Sequence, residues 1–193
     1  MISEPRLRNV ISDRAGDKGL ESERWIIFPQ FPQNCEATTA SVWDQLSMGM
    51  EKLQVMPDLI WINSFHRSKA FIDCSVRLIH ENLDELIKKG NRPDILLISF
   101  HGIPKRRIIQ NNDPYFRHCL ETYELLKQNL KLDGIEICWS FQSRFGGEEW
   151  LTPYTDEIVD EIIADGKKHI AVYCPSFVAD CLETIDEIGD ELA

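Results

Sequence analysis

Four side chains in the second half of the chain are of types that can do chemistry together: His101, Trp150, Asp180 and Glu183. A base, two carboxylates and a large flat aromatic suit a metal ion, a cationic centre or a planar ligand. His101 ends the apolar run of Ile95-Leu-Leu-Ile-Ser-Phe-His-Gly-Ile-Pro104. That run is too short for a membrane and too uniformly apolar for a half-exposed edge strand, so it reads as a buried strand. Gly102 and Pro104 then break the chain into a loop, at the strand end where open α/β sheets bind ligands. Trp150 lies after a second strand, in FQSRFGGEEW, and Asp180 and Glu183 lie after a third, in PSFVADCLE. If the strands run parallel, all three ends share one edge. Taken singly, each residue also has an ordinary reading: a hydrogen-bonded loop histidine, a packing tryptophan, and Gln142 and Ser143 as groups satisfying turn backbone.

The segment after Asp180 sharpens the question. Glu183, Glu187 and Glu191 recur every fourth residue beside an apolar stripe of Leu182, Ile185, Ile188 and Leu192. On an α-helix that spacing stacks three carboxylates on one ridge, and each like-charged pair costs a few tenths of a kcal/mol in water. A solvated acidic face is the ordinary reading, and a divalent cation is the one that would relieve the repulsion.

The elements that must position these residues alternate along the chain. Residues 25–28, 59–62, 95–100, 135–141 and 169–173 read as strands. Helical stripes run over residues 38–53 and 70–87, from Asp113, from Thr152-Pro153, and over residues 182–192. Strand followed by helix, five times, predicts right-handed crossovers and a mainly parallel sheet. Residues 88–93, Lys-Lys-Gly-Asn-Arg-Pro, are polar and carry both breakers, which predicts a boundary between a domain of residues 1–91 and one of residues 92–193. The chain starts without a strand and stops on a helix, so a partial chain is expected.

At 193 residues the chain can bury a substantial core, and 43% hydrophobic with 27% charged residues is a soluble globular composition. The 21 basic and 32 acidic residues give a net charge of −11, which argues against nucleic acid as a partner and favours cations. The first twenty residues have no signal-peptide character and no run approaches a membrane span, so a cytoplasmic protein is expected. The six cysteines, at 35, 74, 119, 138, 174 and 181, form no CxxC pair, and Cys138 and Cys174 read as small core residues.

Several segments taken together are highly specific. SFHGIP at residues 99–104, DPY at 113–115, FQSRFGGEEWLTPYTDE at 141–157 and PSFVADCLETIDEI at 175–188 resemble the ferrochelatase family, in order and in spacing. In the first half, FPQFPQNCEATTASVWD and SFHRSKAFID are similar to segments of the same family. The resemblance runs from about Lys18 to Ala193.

It implies an α/β fold of two Rossmann-like, chelatase-like parallel-sheet halves, the first incomplete and the second lacking its last strand and carrying the site. It implies insertion of ferrous iron into protoporphyrin IX to form protohaem, a lyase reaction closing haem biosynthesis. By position, His101 and Glu183 match the essential histidine and glutamate, Asp180 an acidic neighbour, and Trp150 a tryptophan near the porphyrin. Glu187 and Glu191 match an acidic helix proposed as a metal path, in which π-type turns occur. The implied metal-handling set is therefore His101, Glu183, Asp180, Glu187 and Glu191. Fe²⁺ is a substrate, with no prosthetic group and no iron–sulfur cluster expected, since the four-cysteine pattern of some members is not visible. Peripheral membrane association is compatible with the resemblance, and the oligomeric state is left open.

Two features depart from the family and leave alternatives. Many members have a histidine where this chain has Cys181. The region before Lys18 lacks the strand and glycine-containing loop that wall the porphyrin cleft. A non-catalytic porphyrin- or metal-binding remnant and a chelatase for another tetrapyrrole or metal therefore stand as alternatives. Which of His101 and Glu183 handles metal and which handles protons is not settled by the resemblance.

Overall fold

The computed structural model describes residues 6–192. The chain divides into two compact units, Met1–Ser64 and Phe65–Ala193. The first contains α1 (Leu7–Ser12), β1 (Arg24–Ile27), α2 (Ser41–Met50) and β2 (Asp58–Trp61). The strands pair in parallel from Arg24↔Asp58 to Ile27↔Trp61. A single π turn, Glu36–Ala40, opens α2. The helix α1 went unread in the sequence because six residues carry too little periodicity to register. It buries Ile11 against α2, where Gly49 permits the approach: a Cβ there would meet Arg8 O and Ile11 Cβ, each at 3.0 Å.

The second unit carries α3 (Lys69–Lys88), β3 (Ile95–His101), α4 (Lys105–Asn111), α5 (Tyr115–Asn129), β4 (Glu136–Gln142), α6 (Thr155–Ala164), β5 (Ile170–Tyr173) and a π-helix, Glu183–Glu191. Its sheet has the order β4-β3-β5, all parallel. The central strand is the apolar run quoted above: Ile95 to Phe100 are all buried, and only His101 at its end emerges. A strand with neighbours on both edges and cover on both faces has no solvated side, which is why its residues do not alternate.

The helices are positioned by the residues that start them. Ser68 caps α3, accepting from Phe71 N–H, and Ile72, Ser75, Ile79 and Leu83 form its buried stripe. The carboxylate of Asp113 accepts from Tyr115 N–H at 2.9 Å and so starts α5, as the Asp-Pro signal predicts. On the sheet, Trp139 packs against Phe116, Tyr123 and Phe141, with ring centroids 5.5–6.2 Å apart.

Two expectations shift. The boundary expected between residues 91 and 92 differs from the division after Ser64, because α3 belongs with the second sheet. Its Ser75 takes a 2.8 Å hydrogen bond from Tyr173 OH on β5, and α3 packs on α5. The helix expected over residues 182–192 is a π-helix over Glu183–Glu191, in keeping with the π-type turns the resemblance implies, but Leu182 and Ile185 of its expected apolar stripe are 73% and 59% exposed. The stripe was drawn with α-helical periodicity, and an i→i+5 hydrogen-bond pattern rotates it away.

Candidate functional site

The site grows from the ends of β3 and β4. His101 and Gln142, the last residues of the two strands, face each other in register. The next amide, Gly102 N–H, donates to Gln142 O at 2.8 Å. A Cβ on Gly102 would stand 2.7 Å from that oxygen and 3.2 Å from Trp150 Cε3, so only glycine admits this packing.

Trp150 is brought there by a zip between the two loops. Pro104 and Trp150 form an antiparallel bridge, Leu151 N–H donates to Ile103 O at 3.0 Å, and Lys105 N–H donates to Glu149 O at 2.8 Å. Ion pairs Lys105–Glu149 at 2.7 Å and Arg106–Glu148 at 2.6 Å close its outer side. Two polar atoms at this edge, His101 Nδ1 and Trp150 Nε1, are buried with no hydrogen-bond partner among the described residues. Buried polar atoms are nearly always paired, so both are candidates for contact with a ligand.

Gln142 joins this edge to the π-helix. Only 3% exposed, it donates from Nε2 to Glu183 O at 2.9 Å, and its Oε1 accepts from Ser99 Oγ at 2.8 Å and Cys174 Sγ at 3.3 Å. The proton of Ser99 is thereby committed. Thr155 must then donate to Ser99 at 2.9 Å, and Ser140 to Thr155 at 2.8 Å. A directional chain of buried donors, Ser140 to Thr155 to Ser99 to Gln142, ends on the main chain of Glu183. Such chains polarise each member and hold a single geometry.

Ser143, the next residue, has φ 63°, the left-handed region that non-glycine residues seldom occupy. Glu187 holds it there, accepting from Ser143 N–H and Oγ, each at 2.5 Å. Glu187 and Glu191 line a cavity of about 270 Å³ with Phe141, Gln142, Ser143 and Arg144. Asp180 is exposed before the π-helix, where the hydroxyl of Thr184 lies 3.3 Å from its carboxylate and accepts from Cys181 N–H at 3.0 Å.

The electrostatics separate the two central groups. Burial lowers the pKa of His101, opposed in part by the negative charges of Glu183 and Glu187, so its imidazole is neutral at pH 7. Glu183 is also lowered, by hydrogen bonds from its own backbone N–H and from the Cys181 thiol, and by the charge of His101, so it is a carboxylate. His101 thus feels the charges of both Glu183 and Glu187, and Trp150 packs beside the residue following His101. Asp180 and Glu191 stand at the two ends of the helix. Among the described residues no three His, Cys, Asp or Glu side chains are gathered closely enough to hold a metal ion.

Cys138 and Cys174 are only partly exposed, and burial pushes their thiols up to about 11 and about 12, which makes them poor nucleophiles and ligands. Gln142 and Ser143, which the sequence offers as groups satisfying turn backbone, instead bond to Glu183 and Glu187 of the π-helix. The available signal was a glutamine ending an otherwise apolar strand, a polar group that must be satisfied where it is buried.

A family model described as ferrochelatase matches residues 2–193. The curated ferrochelatases of Brucella ovis, Brucella canis and Brucella abortus are each 45% identical over 183 residues, covering 95% of this chain and 50% of each relative. The chain spans about half the length of the curated relatives it matches. With nearly all of its residues inside the family model, the chain belongs to the ferrochelatase family.

Proposed function

We propose that this chain carries out the metal-insertion chemistry of a ferrochelatase: Fe²⁺ replaces two pyrrole N–H protons of protoporphyrin IX, giving protohaem and two protons. The reaction needs two proton acceptors and a way to bring a dication to the macrocycle. The observation that carries the reading is geometric: His101 and Gln142 face each other at the ends of β3 and β4, and Gln142 Nε2 donates to Glu183 O at 2.9 Å, while burial favours a neutral His101 and hydrogen bonds favour an ionised Glu183. His101 accepts a pyrrole proton. Glu183 draws in Fe²⁺ as a carboxylate and takes the second proton. Glu187 and Glu191 offer hard oxygen ligands along the route, with Asp180 at its other end. Trp150 gives the macrocycle a flat apolar wall and an unpaired N–H.

In this reading Fe²⁺ is substrate, and neither a prosthetic group nor an iron–sulfur cluster takes part. No helix among the described residues is long and apolar enough to cross a membrane. A cytoplasmic setting, with peripheral membrane contact allowed, belongs to the same proposal. A second reading is a porphyrin or metal binder without turnover.

The test is optical. The protein is mixed with protoporphyrin IX and Zn²⁺, or anaerobically with Fe²⁺, and the Soret and Q bands are followed. Collapse of the four free-base Q bands with turnover supports the chelatase reading. His101→Ala should abolish that turnover while leaving the far-UV circular dichroism unchanged. A Soret shift with intact Q bands supports the binder. Faster metallation of coproporphyrin, or a preference for Co²⁺, would reassign the substrate within the class.

A further inference from the structure

The side chain of His101 is aimed without help from its own second nitrogen. Histidines that move protons are ordinarily oriented by a carboxylate or carbonyl on the other ring nitrogen. Here Nδ1 has no partner among the described residues. The ring of Phe177 lies beside it, with centroids 6.0 Å apart. With that nitrogen unpartnered, the anchoring of its main chain bears directly on where the imidazole points.

That main chain stands where the sheet has run out. β5 pairs with β3 only from Ile95↔Ile170 to Ile98↔Tyr173. The N–H of Gly102 points to β4, so the peptide groups of His101, one residue earlier, point to the β5 side. Continued at the same offset, the register puts Ser176 opposite His101, but the chain has left the strand, with Pro175 offering no N–H. Two hydroxyls take the place of the missing strand. Tyr115 OH donates to His101 O at 2.7 Å, and His101 N–H donates to Ser176 Oγ at 3.4 Å. The hydroxyls are 3.0 Å apart. Because the tyrosine proton is committed to His101 O, the serine proton goes to the tyrosine oxygen, closing a ring of three hydrogen bonds. Tyr115 is itself 5% exposed and fixed by the bond from its own N–H to Asp113.

We infer that Tyr115 and Ser176 are positioning residues for His101: a hydroxyl bridge that completes the sheet beside the catalytic histidine and fixes where its imidazole points. The inference rests on the role given to His101 in the proposed function. It predicts what either hydroxyl is worth. Losing one opens the ring, so losing both costs little more.

Proton NMR of the histidine Hε1 signals in the full chain tests this. The chain has five histidines, and the His101 signal is the one missing in His101→Ala. In Ser176→Ala and in Tyr115→Phe that signal should broaden or split. Its titration midpoint should rise toward the ordinary imidazole value as the ring becomes better hydrated. Zinc insertion should lose roughly tenfold in kcat with KM for porphyrin changed less than about twofold, as expected for lost orientation with intact binding. The double variant should lose no more than the worse single one. A sharp His101 signal with the wild-type midpoint in both variants would overturn the inference, as would multiplicative losses in the double variant. Ser176→Ala removes one small hydroxyl and carries the test if Tyr115→Phe fails to fold. Should the wild-type chain insert no metal, the chelatase reading fails while the NMR signals still decide the positioning.

Discussion

Gln142 holds Glu183 by its main chain and not by its carboxylate: the side-chain amide donates to Glu183 O at 2.9 Å. The π-helix is thereby tied to the end of β4, in register with His101 on β3, without engaging the carboxylate. A change at Gln142 should act on the position of Glu183 and leave its chemistry intact.

Gln142→Glu keeps the shape but removes the donor. It also sets a second acceptor against Glu183 O and a carboxylate near Glu187 Oε2, which lies 3.5 Å from the present amide. With the buried donor chain from Ser140 ending on this residue, the loss should be about 1–3 kcal/mol in stability. Urea unfolding measures that loss. Zinc insertion should fall with it, and a variant as stable and active as wild type would show that the tie is unimportant.

For Glu183 the charge itself is expected to matter. Glu183→Gln retains the main-chain bond from Gln142 and most of the shape, but loses the base. A drop in kcat of roughly a hundredfold or more is what loss of a proton acceptor gives. Asp180→Asn, an exposed change beside Thr184, should be much milder. Equal effects from the two substitutions would mean that Glu183 acts only through bulk negative charge.

Gly102 offers a steric test. In Gly102→Ala the new methyl would sit 2.7 Å from Gln142 O, forcing Gln142 or Trp150 to move. Overpacking of this kind should cost about 1–3 kcal/mol and reduce turnover. Gly147→Ala in the neighbouring loop meets nothing within 4 Å and serves as the control. A melting temperature equally unaffected in both would show that the backbone yields freely at Gly102.

A separate pair governs acid stability. His66 and His118 stack with ring centroids 3.8 Å apart, and His66 Nε2 lies 2.7 Å from the carboxylate of Glu121. Burial, then the charge of His66, pushes His118 down to about 4, and burial lowers His66 as well. Glu121 opposes both shifts, while Arg67 and Arg117 add to them. The unfolded chain takes up these protons near pH 6.5 and the folded chain does not. The stability is thus complete above about pH 6.5 and drains away as the pH falls toward about 4. His118→Phe keeps a ring against His66 and removes one titration. Its urea midpoint should therefore fall less than that of wild type between pH 7 and pH 5. Parallel losses would place the acid sensitivity elsewhere.

Much of this arrangement is written locally. The apolar run ending at His101, the stripe of Ile72, Ile79 and Leu83 on α3, and the Asp113-Pro114 start of α5 could each be read from neighbours in the chain. Hydrophobic periodicity and capping are short-range effects, so a window of a dozen residues holds the information. His101 and Glu183 were legible for a different reason, as parts of motifs whose combination is specific.

The sequence by itself thus determined the alternation of parallel strands and helices and the residues at the strand ends. Only the tertiary structure decided how those ends are joined. Gln142 meets Glu183 across 41 residues, Ser176 meets the His101 main chain across 75, and the Thr155 hydroxyl meets Ser99 across 56. A hydrogen bond between such distant positions leaves no periodic trace, because a glutamine or serine looks the same whether it faces water or completes a buried chain. The π register of Glu183–Glu191 was signalled by the family resemblance and not by the local pattern. Its sequence carries the periodicity of an ordinary amphipathic helix, and the wider turn is stabilised where Gln142 and Ser143 hold its Glu183 carbonyl and Glu187 carboxylate.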